Sequence, residues 1–221
     1  MTDPTSADTQ EMMAVSMPAL ADPVGDALAG DAIVDAALSA VGLEWPDPLY
    51  ALWCMPRGLY PDGSRQADAK SLYTCLQNCL ACMRVGGVRA PELALRLDGN
   101  GGLLVSWIEA IAKRANAWLP LDDSLSLMPA DIVIIGGSAA LGGGIHGFVV
   151  TDVSDPVITS CDGGQVEGPE NRHCILARKR VLARQGAAWW ARDADGKHSP
   201  QQLGVGRGVY GVCRGRWLPT S

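Results

Sequence analysis

A change of periodicity at Pro120 constrains this chain more than any other feature. Before it, apolar residues recur at helical spacing; after it, they fall in short runs broken by glycine and proline. On the early side, Leu28, Ile33, Val34, Ala37, Leu38 and Val41 mark a helix that stops at Gly42. Two more helices are predicted, from about Thr74 to Gly86 and from about Leu103 to Trp118, with Asp98-Gly-Asn-Gly-Gly102 between them. Residues 43–66, with four prolines and the aromatics Trp45, Tyr50, Trp53 and Tyr60, predict an ordered loop. On the late side, strands are predicted over Asp131 to Ile135, Gly147 to Asp152, Val157 to Cys161, Cys174 to Leu182 and Gly208 to Trp217. Helices first and a mostly antiparallel sheet afterwards predict an α+β fold. Residues 1–24, rich in Thr, Ser, Asp, Pro and Ala, predict a flexible leader. Residues 25–221 are long enough for one domain carrying an N-terminal helical extension.

Composition removes some function classes. A net charge of -6 argues against a general nucleic-acid binder, which needs a basic face. The one basic run, Arg172 to Arg184, is interleaved with Ile175, Leu176, Val181 and Leu182 and predicts a half-solvated strand. No apolar run approaches the roughly 20 residues that cross a bilayer. Seven cysteines, an odd number, fit a reducing compartment better than a disulfide framework. The N-terminus has no basic region or apolar segment of a secretory signal, so synthesis in the cytoplasm is expected.

Cys75, Cys79 and Cys82 fall in one predicted helix. At about 100° per residue, Leu72, Leu76, Cys79, Leu80 and Met83 share its apolar face, which makes Cys79 a packing residue. Cys75 and Cys82 lie on the flank. Thr74 and Gln77 have the form of a capping box, with Thr74 as N-cap. Cys75 then sits in the first turn, at the positive end of the helix dipole, where a thiolate is stabilised. A nucleophilic cysteine needs that placement.

There are only three histidines. His173 and His198 lie in polar segments and read as surface residues. His146 opens a strand after the turn Gly142-Gly-Gly-Ile145 and can face a helix N-terminus across the sheet. About one strand later, Asp162 or Gln165 in Asp162-Gly-Gly-Gln165 can orient its imidazole; the residues alone leave both open, along with a plain turn.

In this order the pieces resemble the NlpC-type and CHAP-type cell-wall cysteine peptidases and amidases. The resemblance rests on Cys75 followed by Gly87-Val88, on Pro129-Ala-Asp-Ile-Val-Ile-Ile135, on the strand headed by His146, and on Asp162 or Gln165. It covers residues 70–165. Thr74 before the cysteine, Ala130 where the family has glycine, and Gly147 after the histidine depart from its pattern. The resemblance implies a papain-like fold with N-terminal helices packed on a mostly antiparallel sheet. It also implies a Cys75–His146–Asp162 triad (with Gln165 the alternative third member) and no cofactor. The implied substrate is an amide bond in peptidoglycan peptides. With no export signal, a phage-type lysin or a toxin delivered to the cell wall by a non-classical route is expected. The sequence names no immunity or delivery partner.

Three other classes share these residues. One is a non-catalytic binding module, with Trp118, Trp189, Trp190 and Trp217 lining a groove. A second is an acyltransferase or deamidase using the same triad. A third is a radical-SAM-type iron–sulfur enzyme, because Cys75-x-x-x-Cys79-x-x-Cys82 matches that cluster spacing.

Overall fold

The structure, a computed structural model, describes residues 29–44, 47–54, 74–90, 101–136, 146–167, 172–185, 188–194 and 207–220. The leader, the turn at 142–145 and His198 lie outside them, as does most of the 43–66 loop. Four helices come first: α1 (Gly30–Ala40), α2 (Pro48–Cys54), α3 (Thr74–Val85) and α4 (Gly101–Arg114). The short β1 (Trp118–Leu119) follows, then β2 (Ile132–Gly136), β3 (His146–Ser154), β4 (Val157–Glu167), β5 (Arg172–Gln185), β6 (Ala188–Asp193) and β7 (Arg207–Cys213).

From β2 to β6 each strand pairs antiparallel with the next; β7 then pairs with both β6 and β2. The sheet therefore closes into a six-stranded antiparallel barrel, to which β1 adds along β7. This overturns the expected papain-like arrangement of helices on a sheet. Strand alternation reads the same in an open sheet and a closed barrel, so the pattern left closure undetermined. The strand that closes the ring, β6, was not among the five predicted, because Trp189 and Trp190 give it no clear alternation: both are half-buried.

Two apolar clusters follow from strand parity. Val133, Ile135, Phe148, Val150, Ile158 and Val212 fill the barrel interior. Their opposite-parity neighbours Ile132, Ile134, Val149, Cys161 and Cys213 instead meet Ile33 and Ala37 of α1, Leu76 and Met83 of α3, and Ile108 of α4. Register shifts at Ile134/Ile135, Val150/Asp152 and Asp162/Gln165 bend the strands as closure requires.

Smaller corrections concern element bounds. α2 occupies part of the predicted loop 43–66, α4 stops before Trp118, and β7 ends at Cys213, where a 3-10 turn (Gly215–Trp217) takes over. His173 is a half-buried residue of β5. Ala130, where the resembled pattern has glycine, adopts a left-handed φ of 77°. Its position therefore keeps the backbone shape that glycine would favour, at a cost. Among the described residues, no helix is long and apolar enough to cross a membrane.

Candidate active site

Thr74 opens α3, and Cys75 follows in its first turn. The reciprocal half of the predicted capping box is not made: both amide atoms of Gln77 are buried without a hydrogen-bond partner. The other end of α3 is a Schellman stop. The Gly87 N–H donates to Arg84 O at 3.1 Å, the Val88 N–H donates to Met83 O at 3.0 Å, and Gly87 takes φ 78°. That accounts for Gly87-Val88 at this distance from Cys75.

β3 crosses α3 at close quarters. A Cβ on Gly147 would lie 2.7 Å from the Leu76 side chain and 3.3 Å from the Cys79 sulphur, so a larger residue after His146 would require those side chains to move. This contact brings the imidazole to Cys75, with which it shares a side-chain hydrogen bond, and the backbone N–H groups of Gly147 and Leu76 also reach the sulphur.

β4 supplies the third group by a bulge rather than a turn. The register slips between Asp162 and Gln165, and the intervening glycines tuck over the start of α3. A Cβ on Gly163 would meet Thr74 O and Asn78 Cβ at 2.6 Å. One on Gly164, at φ 66°, would meet Thr74 Oγ1 at 2.2 Å and Cys75 N at 3.1 Å. The bulge leaves Asp162 fully buried with Oδ1 2.7 Å from His146 Nε2. Nδ1 is thus the ring nitrogen left for Cys75. Gln165 turns away, donating from Nε2 to Gly163 O at 2.9 Å. The structure therefore joins Cys75, His146 and Asp162, and does not bring Gln165 to them.

The electrostatics follow from this contact order. Burial alone would raise the Cys75 thiol, but the charge and hydrogen bond of His146 outweigh it and bring the thiol below its ordinary value. His146 is raised to about 9, because the Cys75 charge and the Asp162 hydrogen bond overcome its own burial. Asp162 also resists burial: Arg180, then His146 and Ser160, hold its carboxyl well below the usual range. The contact thus lowers the thiol's proton affinity and raises that of the imidazole, a shift toward the thiolate–imidazolium form of the pair.

Cys79, Cys161 and Cys213 differ. Cys79 is driven well above its usual value by burial and by neighbouring Cys82, Cys75 and Cys161. Cys161 is pushed up to about 12 by burial, and its thiol donates to Ala37 O at 3.2 Å. Burial also raises Cys213. Cys161 and Cys174 do not form a disulfide with each other. Among the described residues, no group of three or more His, Cys, Asp or Glu side chains is arranged to hold a metal ion.

Sequence reasoning missed two residues behind Asp162. Ser160 donates to its Oδ2 at 2.5 Å, and the buried Arg180 donates to its Oδ1. The signal was present in the basic run. Leu176, Arg178, Arg180 and Leu182 share one parity in β5, so two arginines stand on an apolar stripe, while Lys179 points out to solvent.

Comparison with known proteins adds no relative: no family model, no curated protein and no solved structure matches the chain.

Proposed function

We infer that the protein is a cysteine hydrolase of amide bonds, with Cys75 as nucleophile and His146 as its acid and base. The observation that carries this reading is the unbroken contact Cys75–His146–Asp162 at a helix N-terminus. The Cys75 thiolate adds to the amide carbonyl carbon, and the imidazolium of His146 gives its proton to the departing amine, leaving a thioester. Water then adds to the thioester and loses its proton to His146. Collapse releases the carboxylic acid and returns the sulphur as thiolate and the imidazole as imidazolium. Asp162 holds the ring's tautomer and orientation throughout and stabilises its charge.

The order of these residues supports a substrate of the kind cleaved by the cell-wall peptidases and amidases that the sequence resembles, a peptide of peptidoglycan. The iron–sulfur reading is less well supported, because among the described residues no group of three or more His, Cys, Asp or Glu side chains is arranged to hold a metal ion. The test is incubation with peptidoglycan stem peptides and intact-mass detection of the acyl-enzyme. Wild type should carry the acyl mass on Cys75 and release product, and Cys75→Ala should do neither. Product from the Cys75→Ala variant would overturn the reading, and a Cys75→Ala protein that binds as well as an equally inert wild type would favour a binding module.

A further inference from the structure

Behind Asp162 the barrel interior holds Arg180, Asp193 and Arg178, charges that the hydrolytic steps above do not use. We propose that Arg180 is a positioning residue that sets the proton affinity of the Cys75–His146 pair through Asp162. The proposal rests on Cys75 being the nucleophile.

Arg180 holds Asp162 by two routes. It donates directly to Oδ1, the same oxygen that faces His146 Nε2 at 2.7 Å. It also donates from Nε to Ser160 Oγ at 3.2 Å, and Ser160 donates on to Oδ2 at 2.5 Å. Both carboxylate oxygens are therefore engaged, and Oδ1 stays aimed at the imidazole. The far side of the guanidinium is fixed as well. Nη1 donates to Asp193 Oδ1 at 2.8 Å, Arg178 lies 3.7 Å from the other Asp193 oxygen, and the Phe148 ring lies 4.7 Å below.

Charge makes this more than a structural strut. Read from α3 through β3, β4, β5 and β6, the groups are Cys75, His146, Asp162, Arg180, Asp193 and Arg178, and their signs alternate from thiolate to guanidinium. Among the described residues, Cys79 on α3 and Cys161 on β4 also face the site, and burial holds both as neutral thiols. Arg180 is the cation that balances Asp162 from behind. Without it the buried site is more negative, and every proton affinity in it rises, that of Cys75 included. A planar fork is also what lets one cation meet Asp162, Ser160 and Asp193 together; a lysine ammonium retains the charge but not that geometry.

The experiment measures the rate of Cys75 alkylation by iodoacetamide against pH, by mass spectrometry, in wild type, His146→Ala, Arg180→Met, Arg180→Lys and Asp193→Asn. Arg180→Met should raise the Cys75 midpoint by about one unit, so that alkylation below the midpoint slows about tenfold. Arg180→Lys should raise it by less. Asp193→Asn, which removes an anion from beyond Arg180, should lower it. Disturbance of a merely structural contact would move Arg180→Met and Asp193→Asn in the same direction, and that result would overturn the proposal. So would an Arg180→Met midpoint equal to wild type while His146→Ala shifts it. Should Arg180→Met fail to fold, the opposite directions of Arg180→Lys and Asp193→Asn decide. A His146→Ala midpoint equal to wild type would overturn the nucleophile reading and the proposal with it.

Discussion

Cys75 and Cys79 occupy successive turns of one helix, and both are buried. Burial drives both thiols upward, yet only Cys79 ends above its ordinary value. The difference is the neighbourhood. Cys79 meets Gly147, which brings no charge, and its burial is reinforced by Cys82, Cys75, Cys161 and Asp162, all of which raise it. Cys75, one turn nearer the positive end of α3, meets an imidazole backed by a buried carboxylate. On the proposed reading, the reactivity of Cys75 comes from a partner and a helix end, and not from exposure: Cys75 is only 7% exposed.

The contrast can be broken most completely at its partner. His146→Ala should lift the Cys75 thiol toward the behaviour of Cys79 and cost about 10²–10⁴ in hydrolysis rate, read by product release. Asp162→Asn should cost less, about 10², and should bring His146 below its value of about 9. The sign appears in the pH profile. In wild type the rate should fall on the acid side as the thiolate takes a proton, and on the basic side near 9 as the imidazolium loses one. In Asp162→Asn the basic limb should move to lower pH.

Gly164→Ala attacks the same contrast through the backbone. The added methyl meets Thr74 at φ 66°, so the bulge must withdraw from the start of α3. A loss of about 2–4 kcal/mol in denaturant unfolding is expected, together with slower Cys75 alkylation. The smallest effect sharpens the comparison from the other side. Cys79→Ala should cost about 1–2 kcal/mol of stability for a small buried cavity and leave Cys75 alkylation unchanged.

Much of this site was legible in the sequence. Cys75 could be placed in a first turn from Thr74 and the apolar face, and His146 could be set at the head of a strand. The choice between Asp162 and Gln165 could not be made, because it depends on a bulge at Gly163 and Gly164 that two-residue periodicity does not reveal. The barrel was illegible for a related reason. Closure depends on β7 meeting both β2 and β6, pairings between strands distant in sequence, and on a six-residue β6 whose tryptophans are half-buried on both sides. Arg180 was read as part of a half-solvated strand because its burial is a property of the closed barrel, visible only once its parity is set beside Phe148 and Asp162.

The most direct test of the central claim is competitive alkylation of the native protein by limiting iodoacetamide, resolved cysteine by cysteine in wild type and His146→Ala. The account predicts that Cys75 is modified first in wild type, with a midpoint below the ordinary thiol value of about 8.5, and that it loses this lead when His146 is removed. A Cys75 that labels no faster than Cys79 or Cys213, or one whose rate ignores the loss of His146, would contradict it.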